Sequence, residues 1–193
     1  MGPLVSRVIR TLSECRLLAL ATILVVVVAS LRQWLEANMA RHMLVEFPLL
    51  LCAGAAVGAA LTPRHRARRR SYNQYGLTGL AFLSLAIGFW MIPAALDAAI
   101  ASPAMAAAKY ASLIVAGLAA PASFQSAPLA VQAFFVGNVG WMTATAGLLY
   151  QDADRQLCLY YLVGMQSLTG RGLVVVSVAM VVAWCVAVSR RLA

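Results

Sequence analysis

Met39, His42, Met43 and Glu46 are the residues of this 193-residue chain whose types and spacing invite chemistry. At 3.6 residues per turn they share one helical face, and that face opens onto an apolar run, Phe47-Pro-Leu-Leu-Leu-Cys52. Thioether sulfur is a soft ligand that selects Cu(I), and imidazole also suits copper. Glu46, one turn beyond the histidine, is placed to orient the ring through its free N–H. The same four residues also fit a plainer reading. Methionine fills irregular apolar gaps, and a carboxylate in an apolar helix pairs with a cation elsewhere in the bundle.

The composition identifies the solvent these elements must meet. Sixty-three per cent of residues are hydrophobic, 11% are charged and mean hydropathy is +0.84, so the chain reads as an all-α, polytopic membrane bundle in one domain. The formal charge of +9 would suggest nucleic acid in a soluble chain. Here the basic residues fall in short runs between apolar segments, so they predict orientation in a membrane and contact with lipid, with no nucleic-acid partner. Cys15, Cys52, Cys158 and Cys185 are scattered without a CxxC pair, which indicates neither a zinc site nor a disulfide framework.

About six spans are expected, near 17–35, 40–61, 75–96, 104–120, 128–150 and 172–189. The start, with Arg7, Arg10 and Arg16 before an apolar run from Leu17 to Ser30, has the look of a signal peptide. Its apolar length through Leu35 favours an uncleaved first span. Gly54/Gly58 and Gly137/Gly140 predict close helix approaches, and Pro121 to Ala127 predicts a turn. The apolar stretch from Leu157 to Val188, about 32 residues or roughly 48 Å as a helix, exceeds the ~30 Å hydrocarbon thickness. Because Gly170, Arg171 and Gly172 interrupt it, residues 157–169 are expected to be interfacial or re-entrant.

Charge then orients the bundle. With both termini cytoplasmic, ten of the fifteen basic residues lie inside, including the dense Arg64-His-Arg-Ala-Arg-Arg-Arg70 run, and only Glu14 of the six acidic ones does, a strong positive-inside pattern. His65 in that run carries no functional weight. This topology gathers Met39, His42, Met43, Glu46, Met91, Asp97, Met105 and Lys109 near the outer ends of spans two, three and four. Four uses of the cluster remain open: a Cu(I) site on His42 with Met39, Met43, Met91 and Met105; a His/Met haem, since no second histidine lies in any span; a structural ion pair, Glu46–Lys109 or Asp97–Lys109; or a proton pathway through the same ionisable groups. No P-loop, GxGxxG, HExxH or base-paired nucleophile occurs, so no enzymatic activity is expected.

Several blocks resemble one family. Phe89-Trp-Met-Ile-Pro93, Ala95-Leu-Asp97, Met105 with Lys109, and Leu113-Ile-Val-Ala-Gly117 look like the CtaG family of cytochrome c oxidase assembly factors, with its Trp-His-x-Pro and His-x-Leu-Glu-His motifs. Met39-Ala-Arg-His42-Met43-Leu resembles the family's Met-x-x-His-Met-Leu helix, and Asp154-Arg-Gln-Leu157 its Asp-Gln-Gln-Leu segment. The blocks run in order through residues 36 to 188. The resemblance implies a bacterial inner-membrane protein that assists assembly or copper loading of a haem-copper respiratory oxidase at the outer face. The alternative is a structural accessory subunit of a larger respiratory complex with a vestigial metal site. Of the family's metal ligands only His42 survives; Met91, Met105 and Lys109 stand where it has histidines. An ammonium at Lys109 cannot ligate a metal and repels one.

Overall fold

The computed structural model of the chain describes residues 3–61, 73–152 and 156–192. The Arg64–Arg70 run with His65, and Asp154, lie outside the described residues, as do the side chains of Arg7 and Arg10. Among the described residues the fold is all-helical. Helix α1 (Pro3–Ser30) and the short α2 (Arg32–Glu36) lead to α3 (Met39–Ala60), which carries a π turn at His42–Glu46. Then follow α4 (Leu77–Trp90), α5 (Pro93–Ala101), α6 (Pro103–Ser126), α7 (Leu129–Asp152) and α8 (Val163–Leu192).

Among the described residues, four helices are long and apolar enough to cross a membrane: Thr11–Ser30 of α1, α3, α6 and Val163–Arg191 of α8. The bent α4–α5 pair makes a fifth if it counts as one span. The expected sixth falls on α7, which has the length, 24 residues, but not the apolar content; Gln132, Asn138, Thr143 and Gln151 dilute it. Large apolar side chains face outward, Leu85 and Trp141 being 72% and 76% exposed, as in a bundle bathed by hydrocarbon rather than water.

Proline sets three of the breaks. The residue before a proline is pushed out of the α region, and Ile92, Ser102 and Ala127 are all extended ahead of Pro93, Pro103 and Pro128. At the first of these the chain bends by 77°, so the third expected span does not run straight to residue 96. Pro121 breaks nothing: α6 continues through it to Ser126, and the expected turn shrinks to Ala127 and Pro128. A proline is tolerated in a membrane helix when neighbours absorb the freed carbonyl. Pro48 acts differently, since its ring and missing N–H disturb the register around Leu44, and the chain answers with the π turn directly before it.

Two further expectations are corrected. The first span ends at Ser30 rather than 35; Leu31 leaves helical geometry and α2 turns back to bury Leu35. The last helix is continuous from Val163, and only 156–162 is irregular, so 163–169 is helix, with Gln166 and Thr169 buried, rather than a separate segment ahead of it. Gly170 and Gly172 do not interrupt α8 because they are contact points: a Cβ at Gly170 would strike the Gly147 carbonyl, and one at Gly172 the Leu44 side chain. Arg171 between them is exposed. About 28 Å of helix separates it from Arg190 at 1.5 Å per residue, which matches one hydrocarbon thickness.

The α3–α6 and α7–α8 pairs form the two closest seams. In the first, Gly54 faces the Ile114 carbonyl, Gly58 the Leu118 carbonyl and Gly117 the Leu51 carbonyl. Backbones approach so closely that no side chain fits between them. In the second, Gly140 meets Val181 and Gly147 meets Gly170, whereas Gly137, also expected at a contact, has nothing nearby. Gly54→Leu or Gly117→Leu is therefore expected to destabilise the protein by more than about 2 kcal/mol, read as a lower thermal midpoint in detergent micelles. Gly137→Ala should leave that midpoint within the equivalent of about 0.5 kcal/mol.

A buried lysine cluster as the candidate functional site

The seam brings the first turns of α3 and α6 together, and with them His42, Glu46 and Lys109, all fully buried. Asn38 starts α3 from an extended conformation, its side chain accepting from the Ala40 N–H at 2.9 Å. The π turn then carries both His42 and Glu46 inward. Lys109 sits two turns into α6. Trp90 Nε1 donates to Ser112 Oγ at 2.8 Å, and Ser112 Oγ donates to the Lys109 carbonyl at 3.1 Å, tying that turn to α4.

The Lys109 ammonium is the centre of the site. Its Nζ lies 2.9 Å from Glu36 Oε1, 2.8 Å from His42 Nε2 and 2.7 Å from Glu46 Oε1. An ammonium has three N–H donors, and three acceptors from α2 and the π turn surround this one. Glu36 Oε2 also accepts from Arg32 Nε at 2.9 Å. Two carboxylates thus face two cations, and the group is neutral with an uncharged imidazole. Neutrality is what a low-dielectric site demands of buried ions.

The hydrogen-bond directions assign the His42 tautomer. Because Nε2 accepts from an ammonium, the proton lies on Nδ1, which donates to the Tyr161 hydroxyl at 2.7 Å. Tyr161 in turn donates to the Glu36 carbonyl at 2.8 Å. Burial, reinforced by the charges of Glu36 and Glu46, pushes the Tyr161 hydroxyl above the usual phenol range, which keeps it a donor. Phe47 closes one side of the imidazole edge-on, ring centroids 5.5 Å apart. Glu46 is the least satisfied member. Its 2.7 Å contact with Lys109 lacks hydrogen-bond alignment, and Oε2, 3.6 Å from His42 Nε2, has no donor.

The residues singled out in the sequence divide accordingly. His42, Glu46 and Lys109 converge; the methionines do not share their role. Met39 and Met43 are buried in the apolar core with Leu35, Phe47 and Leu50, and Met91 and Met105 pack against that core. Both His42 nitrogens are held by Tyr161 and Lys109, none by a sulfur. Asp97 is not the partner of Lys109: bent away with α5, its carboxylate accepts from the Leu159 N–H at 2.8 Å and lies 3.5 Å from the Tyr160 nitrogen. It thereby anchors the 156–162 segment that delivers Tyr161. Glu36, Arg32 and Tyr161 were not foreseen; the only sequence signal was the Arg32–Glu36 spacing of four.

As a metal site the arrangement fits poorly. Glu36, His42 and Glu46 offer ligand atoms within 4.8 Å of one another, but two carboxylates and one imidazole are harder donors than Cu(I) prefers. The Lys109 ammonium stands among them, and the imidazole nitrogens are already committed. What the geometry does is join α2, α3, α6 and the 156–162 segment by directed, charged hydrogen bonds.

Two outcomes follow. Lys109→Met should destabilise by about 3–5 kcal/mol, because it strands buried carboxylates; adding Glu46→Gln should recover part of that loss in thermal melts, since one orphaned charge is removed. At Cys158, burial and the neighbouring Asp97 push the thiol up to about 12. Thiolate is the reactive form, so maleimide labelling at pH 8 followed by mass spectrometry should show Cys158 modified far more slowly in the folded protein than after denaturation. Compared with known protein families, curated proteins and solved structures, the chain matches no family model, no curated protein and no solved structure.

Proposed function

We propose that this chain is a CtaG-like inner-membrane protein that assists assembly of a haem-copper respiratory oxidase as a scaffold, without catalysing a reaction and without delivering copper itself. The observation that carries this reading is the Lys109 ammonium held by Glu36, His42 and Glu46. A tethered cation sits where the resemblance would put a metal ligand, and it fixes the outer ends of the helices. The ordered blocks from residues 36 to 188 support the family; the loss of its other histidines supports a role through protein contact.

In this reading α7 is the sixth span, both termini are cytoplasmic and the lysine cluster lies at the outer face. Arg190 and Arg191 then mark the inner end of α8, and Arg171 its outer boundary, in keeping with the positive-inside pattern. Copper loading and a structural accessory subunit are the competing roles, and one purification separates them. Protein isolated under native conditions should carry no stoichiometric copper, and Lys109→Ala should raise Zn(II) binding by freeing Glu36, His42 and Glu46 as ligands. Oxidase subunits should be captured by crosslinking only while the oxidase is being made. Stoichiometric copper lost in His42→Ala would establish the loading role instead, and stable one-to-one association with the finished oxidase the subunit role.

A further inference from the structure

The end of the bundle remote from Lys109 carries a feature that scaffolding does not use. Between α3, α4, α6, α7 and α8 lies a cavity of about 390 Å³ whose walls include Leu51, Leu80, Ile87, Val139, Met180 and Trp184. No charged residue lines it, and its one hydroxyl, Ser84, is spent on the Leu80 carbonyl at 3.0 Å. Such a space offers an occupant nothing but apolar contact. Phe124 and Trp184 also wall a second cavity, of about 200 Å³, nearer the end of α8 and bordered by Gln125, Gln132 and Arg191.

The polar groups of this second cavity are unevenly engaged. Gln132 Nε2 donates to the Phe124 and Ala127 carbonyls, both at 3.0 Å, and its Oε1 accepts from Trp184 Nε1 at 3.3 Å. Gln125 is exposed at the rim. Arg191 has no ion-pair partner among the described residues. The two cavities adjoin at Phe124 and Trp184, and the smaller one is bordered by a cation. From Met180 to Arg191 the helix climbs about 16 Å at 1.5 Å per residue, half of the ~30 Å hydrocarbon core and thus the depth of one leaflet.

We propose that the two cavities together hold one anionic phospholipid, an acyl chain in the apolar space and the headgroup phosphate on Arg191 and Gln125. Charge and depth select this occupant over other amphiphiles. A zwitterionic lipid carries a choline cation beside the same phosphate and so gains less from the Arg191 guanidinium, which binds phosphate through paired N–H donors. A neutral isoprenoid head would leave the guanidinium unmatched. The site stands apart from the lysine cluster and does not depend on the role proposed above.

The test is native mass spectrometry of the full chain in nanodiscs containing equal phosphatidylglycerol and phosphatidylcholine. One retained phosphatidylglycerol per chain is expected. Arg191→Gln should reduce its retention about fivefold, the worth of one basic contact with an anionic headgroup, while Arg171→Gln should leave it unchanged. Ala120→Leu, which fills the apolar cavity, should also reduce retention in protein whose thermal midpoint is preserved; because Arg191 is exposed at the helix end, Arg191→Gln decides the matter if Ala120→Leu fails to fold. Equal retention of both lipids, no retained lipid, an isoprenoid mass in preparations from native membrane, or indifference to Arg191→Gln would each overturn the proposal.

Discussion

One ammonium group in an apolar bundle constrains everything around it. Lys109 lies two turns inside α6 and is fully buried, so its ammonium reaches no water. Its three donors must therefore meet acceptors supplied by the rest of the chain. Two come from the first turns of α3 and one from α2, a helix of five residues that exists because α1 stops at Ser30 and the chain turns back. Remove the ammonium and α2 is held only by buried Leu35 and the Tyr161 bond to the Glu36 carbonyl, with the Glu46 carboxylate left uncompensated; remove the acceptors and α6 buries an unpaired charge in its second turn.

The same demand explains features that look unrelated. The π turn before Pro48 aims His42 and Glu46 together at Nζ. The glycine seam lets α3 and α6 run close enough for those short reaches. Asp97 holds the 156–162 segment, the segment supplies Tyr161, and Tyr161 locks the imidazole in the one tautomer that can accept from lysine. These links form a chain of dependence from α5 to the ammonium, and they use hydrogen bonds whose alternatives in hydrocarbon are unsatisfied polar groups.

A cation fixed by covalent tether differs in kind from a bound metal. It cannot exchange, change oxidation state or be passed to a partner, and its bonds are set by three donor directions. A site built this way is suited to holding helix ends in register. The opposite end of the bundle is organised on other terms, with apolar space beside an arginine at the end of α8.

The sequence by itself determined the class of the fold and the residues at stake. Length and apolarity of the helices follow from composition, three of the helix boundaries from proline, and the burial of His42, Glu46 and Lys109 from the cost of leaving ionisable groups in lipid. Only the tertiary structure decided how they are used. Whether Met39 and Met43 bind a metal or fill the core cannot be read from their spacing, because both roles need the same inward face. The bend at Pro93, which carries Asp97 away from Lys109, and the arrival of Glu36 and Tyr161 from distant positions depend on how helices pack. A pattern of period 3.6 records which face of a helix is inside; it does not record which other helix that face will meet.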